Sequence, residues 1–162
     1  MTLAKGVVAR QASSAFLICR SRARLCALPL EKVAETMRPL PIEALPGMPP
    51  PVLGVAVIRA AVVPVVDMAL LTGAATHGHP NRYVSLRLGE GRLVALAVEE
   101  VLGVRELDAQ TLREVPPLLE EAAPNLVSAM ALLDGELLLV LRAAHLIPDA
   151  LWADIDAGTA LA

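Results

Sequence analysis

A chain of 162 residues with 56% apolar side chains and only 2% aromatic ones must build its core from Val, Leu, Ile and Ala, and has almost nothing with which to stack a base or sugar. Fourteen basic against 17 acidic residues give a formal charge of −3, and no run of Lys or Arg is long enough to track a phosphate backbone, which argues against nucleic acid as a partner. The length fits one compact unit, or two small subdomains sharing a core.

Residues 1–14 mix Lys5, Arg10 and Gln11 with small residues. They read as an N-terminal extension with no secretory signal, so the cytoplasm is the expected compartment. Residues 15–20 and 24–28 then form an expected hairpin. If its turn closes at Arg22 and Ala23, Cys19 and Cys26 face each other, read as a pair of reduced core thiols rather than a disulfide. A short helical turn follows Pro29 at residues 30–33. Six prolines in residues 39–51 rule out a central strand there and predict an extended surface connector.

The next segment is the most apolar. Residues 51–71 approach the ~20 residues of a membrane span, but Arg59, Pro64 and Asp67 interrupt them at a cost no lipid-facing helix tolerates. No direct membrane insertion is expected. The alternative is a second hairpin, 53–58 with 62–66, followed by a turn of helix after Asp67. A loop over residues 72–81, containing Gly73, Gly78 and Pro80, divides the chain into comparable halves. Beyond it, Val84, Leu86 and Leu88 alternate with Tyr83, Ser85 and Arg87, the period of a half-buried strand. Its return is residues 92–98 across Gly89-Glu90-Gly91. An additional strand is expected at 101–107, and a last hairpin joins 126–133 to 136–141 through Asp134-Gly135, a pair suited to two positive φ angles. A helical tail runs from residue 143 to 162, restarting at Pro148-Asp149. The hairpin rhythm predicts an all-β chain of two similar small barrels, the first over about residues 15–75 and the second over about 82–142.

Few residues invite catalysis. His77 and His79 share a polar loop, but His145 is distant in sequence and further metal ligands are missing. Glu99-Glu100 and Glu120-Glu121 are adjacent carboxylates that would point to opposite faces of a strand, and read as solvated edges. Ser13, Ser14, Ser21, Ser85 and Ser128 lack a nucleophile-elbow context. Gly47, Gly54, Gly73 and Gly103 do not compose a phosphate loop. Arg59 is the exception: a guanidinium at the tip of the greasiest hairpin sets planar donors beside desolvated surface, the make-up of an interface anchor.

At this hairpin, residues 53–67 (LGVAVIRAAVVPVVD) resemble the signature of the CheW family of chemotaxis coupling proteins. Residues 27–35 (ALPLEKVAE), 98–104 (VEEVLGV) and 133–137 (LDGEL) are similar to further segments of that family, in the same order, so the resemblance spans about residues 15–147. It implies two SH3-like five-stranded β-barrels packed together, no catalytic site and no cofactor. It also implies a scaffold that bridges the regulatory domain of a chemotaxis histidine kinase to the cytoplasmic tip of methyl-accepting chemoreceptors, and so a cytoplasmic protein recruited to membrane-bound receptor arrays. By motif position the receptor helix would meet Val33, Glu35 and Arg59, with Gly54 packing beneath. The family's glycine after the arginine is Ala60 here, which predicts either strain or a different, less sharply bent turn. The family's acid near the end of the last strand is Arg142, a reversed charge. A separate possibility is a small regulatory β-barrel module whose intersubdomain groove holds an apolar ligand.

Overall fold

In the computed structural model, which describes residues 13–122 and 125–161, the expected hairpins all form. Their strands are β1 (Ser13–Ser21) with β2 (Arg24–Pro29), β4 (Val52–Ile58) with β5 (Ala61–Asp67), β6 (Arg82–Arg87) with β7 (Leu93–Val98), and β9 (Val127–Leu133) with β10 (Glu136–Leu141). The additional strand is β8 (Glu100–Asp108). One further strand, β3 (Val33–Met37), has a composition with no clean alternation and is implied only by the resemblance of residues 27–35 to a family segment. The helices are α1 (Met68–Leu71), α2 (Pro117–Ala122) and α3 (Asp149–Leu161), and 3-10 turns occupy Leu30–Lys32, Gly89–Gly91 and Ala143–His145. The expected N-terminal extension, 1–14, lies outside the described residues except for Ser13 and Ser14, which begin β1.

The strands form two five-stranded sheets, ordered β8-β1-β2-β10-β9 and β3-β6-β7-β5-β4. This corrects the expected division at residues 75 and 82. The loop 72–81 joins two strands of one sheet, and the two barrels do not follow one another along the chain. A central barrel takes β3 to β7. A terminal barrel is assembled from both ends of the chain, because β10 lies parallel to β2 (Leu138–Val140 against Leu25–Ala27), just as β5 lies parallel to β7 (Val65–Asp67 against Ala95–Ala97).

The two sheet orders are the same pattern in rotated sequence: β3, β4, β5, β6 and β7 occupy the places of β8, β9, β10, β1 and β2. Even the connectors match. The segment after β3 bridges β4 at Glu43 and Val55, and the segment after β8 bridges β9 at Arg113 and Met130.

Three apolar clusters follow from this layout. Phe16, Ile18, Leu25, Ala27, Leu107, Leu138 and Val140 fill the terminal barrel. Ala56, Ile58, Val63, Val65, Tyr83, Ala95 and Ala97 fill the central one. The largest cluster lies between them, where Leu17, Cys19, Cys26 and Leu28 meet Val66, Val84, Leu86, Val94, Leu96 and Val98 under Leu151, Trp152 and Ile155 of α3. Strands such as β7 (LVALAV) and β10 (ELLLVL) therefore bury both faces, which explains the high apolar content and the weak alternation outside β6. Arg92 fastens α3 by donating to Asp156 at 2.8 Å while lying 5.0 Å over the Trp152 ring.

Cys19 and Cys26 are directly paired across the β1–β2 hairpin, and both are buried free thiols. Burial pushes Cys19 up to about 12 and raises Cys26 as well, so neither presents a thiolate near neutral pH. No helix among the described residues is long and apolar enough to cross a membrane.

Candidate partner-docking site

The β4–β5 loop has only two residues, Arg59 and Ala60, between the paired Ile58 and Ala61. Such a loop matches the twist of its strands when both residues take positive φ, and here φ is 51° at Arg59 and 64° at Ala60. The tight turn is thus retained without glycine, and the alternative of a different or blunter turn is not adopted. The Cβ atoms of two L-residues in the left-handed region cost on the order of 1 kcal/mol each.

What this turn positions is an ion pair. Arg59 Nε donates to Glu35 Oε1 at 3.0 Å and Nη2 to Oε2 at 2.9 Å, a two-pronged geometry that only a guanidinium provides. Glu35 reaches it because β3 bulges between Val33 and Glu35. The bulge sets Val33 opposite Leu86 on the inter-barrel side and Glu35 opposite Ser85 on the side shared by Met37 and Tyr83. The hydrogen bonds from Arg59 hold the Glu35 carboxyl below the usual carboxylate range. The Arg59 side chain is 76% exposed and that of Glu35 32%, so the pair contributes little to stability. Its effect is to fix the direction of the guanidinium.

Beside the tip lies exposed apolar surface. Val57 and Val62 are cross-strand partners, 68% and 36% exposed, and they flank a shallow groove against Leu40, Pro41 and Ile42 of the proline-rich connector. A cation of fixed orientation next to a rigid aliphatic ledge suits the side of a partner helix.

The structure brings Glu35 and Arg59 together, and puts Val33 two residues along the same strand, half-buried against the inter-barrel cluster. Gly54 belongs elsewhere. It sits at the far end of β4 with φ 145°, where an added Cβ would run into the Glu43 carbonyl oxygen and approach Ile42 Cγ2 to 2.7 Å. Its task is to let the connector cross β4, where Glu43 and Val55 exchange backbone hydrogen bonds of 2.8 and 2.9 Å. It thereby packs under Ile42 and Glu43, which line the groove beside Val57 and Val62.

Glu99 is also corrected. It is not a solvated edge but accepts from the backbone N–H of His79 at 2.8 Å and of Arg22 at 2.6 Å. These bonds lower its pKa and tie the 72–81 loop to the β1–β2 turn. Asp67, buried, caps α1 through the N–H groups of Ala69 and Leu70 and accepts from Gly78 N at 3.1 Å. Its place before a helical turn was legible in sequence, whereas its bond to Gly78 was not. His77 Nδ1 lies 3.1 Å from the Gly78 carbonyl. Among the described residues no three His, Cys, Asp or Glu side chains gather as metal ligands.

The model of the CheW-like domain matches residues 15–151. No curated protein matches the chain. Among solved structures, the scaffolding protein TtCheW from Thermoanaerobacter tengcongensis superposes with a TM-score of 0.72 at 20% identity, covering 83% of this chain and 88% of that one. This likeness supports the fold, two SH3-like subdomains, as expected from the hairpin pattern and the ordered motifs.

Proposed function

The chain belongs to the CheW-like domain family, and from that premise we propose that it is a non-catalytic coupling scaffold, joining the cytoplasmic tips of methyl-accepting chemoreceptors to the regulatory domain of a chemotaxis histidine kinase. It works in the cytoplasm at membrane-bound receptor arrays and needs no cofactor. The observation that carries the docking claim is the two-pronged Arg59–Glu35 pair standing beside the exposed Val57–Val62 ledge. A receptor helix laid on the ledge buries aliphatic surface, and the oriented guanidinium selects acidic or amide side chains at one position along it. Val33, at the start of the same strand, extends the contact toward the seam between the barrels. Gly54 contributes indirectly, by keeping β4 and the connector in register.

The experiment is a pull-down by a receptor cytoplasmic fragment. Arg59→Glu, which sets a second carboxylate beside Glu35, is expected to reduce capture about tenfold or more, with an unchanged circular dichroism spectrum. Undiminished capture by folded Arg59→Glu defeats the docking claim.

A further inference from the structure

A small cleft of different chemistry opens where the ends of β2, β6 and β10 meet. Pro29, Leu88 and Leu141 form its floor, the exposed side chains of Lys32, Arg87, Arg142 and His145 stand around it, and no carboxylate is among the residues lining it. The four basic side chains come from four separate places in the chain, which the parallel pairing of β2 with β10 and the packing of the two sheets bring together.

Neither guanidinium is neutralised. Arg87 Nη1 donates to the carbonyls of Val33 at 3.0 Å and Glu31 at 3.5 Å, which fixes the side chain and leaves Nε and Nη2 for another acceptor. Arg142 Nη1 faces the carbonyl and Oδ1 of Asn125, both at 3.5 Å. The ion pairs among the described residues engage Arg20, Arg59, Arg92 and Arg105 instead. In a chain of net charge −3, such a cluster without an internal counter-charge makes a local field opposite in sign to the whole molecule. His145 adds a ring N–H donor in either protonation state.

Charge and size together select the occupant. A single carboxylate would satisfy one guanidinium and leave Lys32 and the other arginine unanswered, whereas a phosphate monoester carries about −1.5 to −2 charges near neutral pH and three strong acceptor oxygens. Inorganic phosphate would use the cations and leave the apolar floor in contact with water. The cleft encloses about 270 Å³, near the lower end of small-ligand sites. A helix, about 10 Å across, could offer it no more than a side chain.

We propose that this cleft binds a small, soluble phosphate monoester with an apolar substituent, its phosphate held by Lys32, Arg87 and Arg142 and its substituent laid on Leu88 and Leu141. This site goes beyond the scaffold reading and does not rest on it. Arg59 lies outside the cleft, so the ligand site and the receptor contact can fail separately.

The test is isothermal titration calorimetry of the whole chain with hexyl phosphate as the probe. One-to-one binding should appear and should weaken as ionic strength rises. It should be about tenfold or more tighter than binding of methyl phosphate, which lacks the apolar arm, or of hexanoate, which lacks the second charge. Arg142→Glu and Lys32→Glu should each lower affinity about tenfold or more, and Arg142→Gln by less, with unchanged circular dichroism spectra. Arg38→Glu, an equal change of net charge outside the cleft, and Arg59→Glu should leave affinity unchanged. An equal loss with Arg38→Glu overturns the proposal, as does equal affinity for methyl and hexyl phosphate, or the absence of binding at millimolar hexyl phosphate. Flotation with vesicles containing phosphatidic acid separates a soluble ligand from a lipid headgroup. The chain should stay unbound, and capture that Arg142→Glu abolishes would give the cleft to a membrane instead.

Discussion

The two barrels share a plan and differ at their tips. In the central barrel the β4–β5 hairpin ends in Arg59-Ala60 and its arginine reaches Glu35 on β3; in the terminal barrel the equivalent β9–β10 hairpin ends in Asp134-Gly135 and its aspartate faces Arg105 on β8, the equivalent strand. The polarity of the pair is inverted. So is the quality: two bonds of 2.9 and 3.0 Å with a partly shielded Glu35 in the first, one contact of 3.6 Å between largely exposed groups in the second. Each hairpin also exposes a cross-strand aliphatic pair, Val57–Val62 in one and Leu137–Leu132 in the other. Asp-Gly is close to the best choice for a two-residue turn, whereas Arg-Ala is a poor one. A turn that sacrifices local stability to hold a particular side chain is where a binding role is expected.

The comparison can be broken in several ways. Trp152→Ala removes the indole that closes the shared inter-barrel cluster and should cost about 3–5 kcal/mol. Urea unfolding followed by circular dichroism should remain a single transition, and two separated transitions would show that the barrels do not depend on one another. Next comes Gly54→Ala, where both the positive φ and the collision with the connector oppose a side chain, expected to cost about 3 kcal/mol. Gly103→Ala in the terminal barrel, with φ 115° but open space around it, should cost only about 1 kcal/mol in the same assay. The tips should respond as mirror images. Ala60→Gly is expected to raise stability by about 1 kcal/mol, and Gly135→Ala to lower it by a similar amount, since each exchanges glycine with an L-residue at positive φ. Differential scanning calorimetry would read both. The smallest effect concerns charge. Glu35 should titrate below the ordinary carboxylate range by NMR and return toward it in Arg59→Ala. Because its folded pKa is depressed, the contribution of the pair is present above the ordinary carboxylate pKa and disappears as pH falls through the lowered value.

Much of the fold was legible because its pieces are local. Turn residues and apolar runs placed all four hairpins and β8, and the proline-rich connector announced itself. Strand β3 was implied by the family resemblance but not marked by the residue pattern, since VAETM carries neither alternation nor β-branched density, and its role depends on a bulge that only its pairing with β6 creates. At the candidate site, Arg59 stood out as a charge in an apolar hairpin, and motif order pointed to Val33 and Glu35. No property of Glu35 in sequence marked it as the partner of Arg59, and none announced that the connector crosses β4 at Gly54.

The sequence by itself determined the hairpins, the reduced-thiol pair facing across the first of them, and the oddity of Arg59, because each depends on residues a few positions apart. Tertiary structure decided which hairpins share a barrel, that Glu99 clamps a loop, and that Lys32, Arg87, Arg142 and His145 converge on one cleft. The physical reason is that strands apolar on both faces record burial without recording the neighbour. Leu138–Val140 could satisfy its hydrogen bonds beside many strands, and only the joint packing of both sheets and α3 selects Leu25–Ala27.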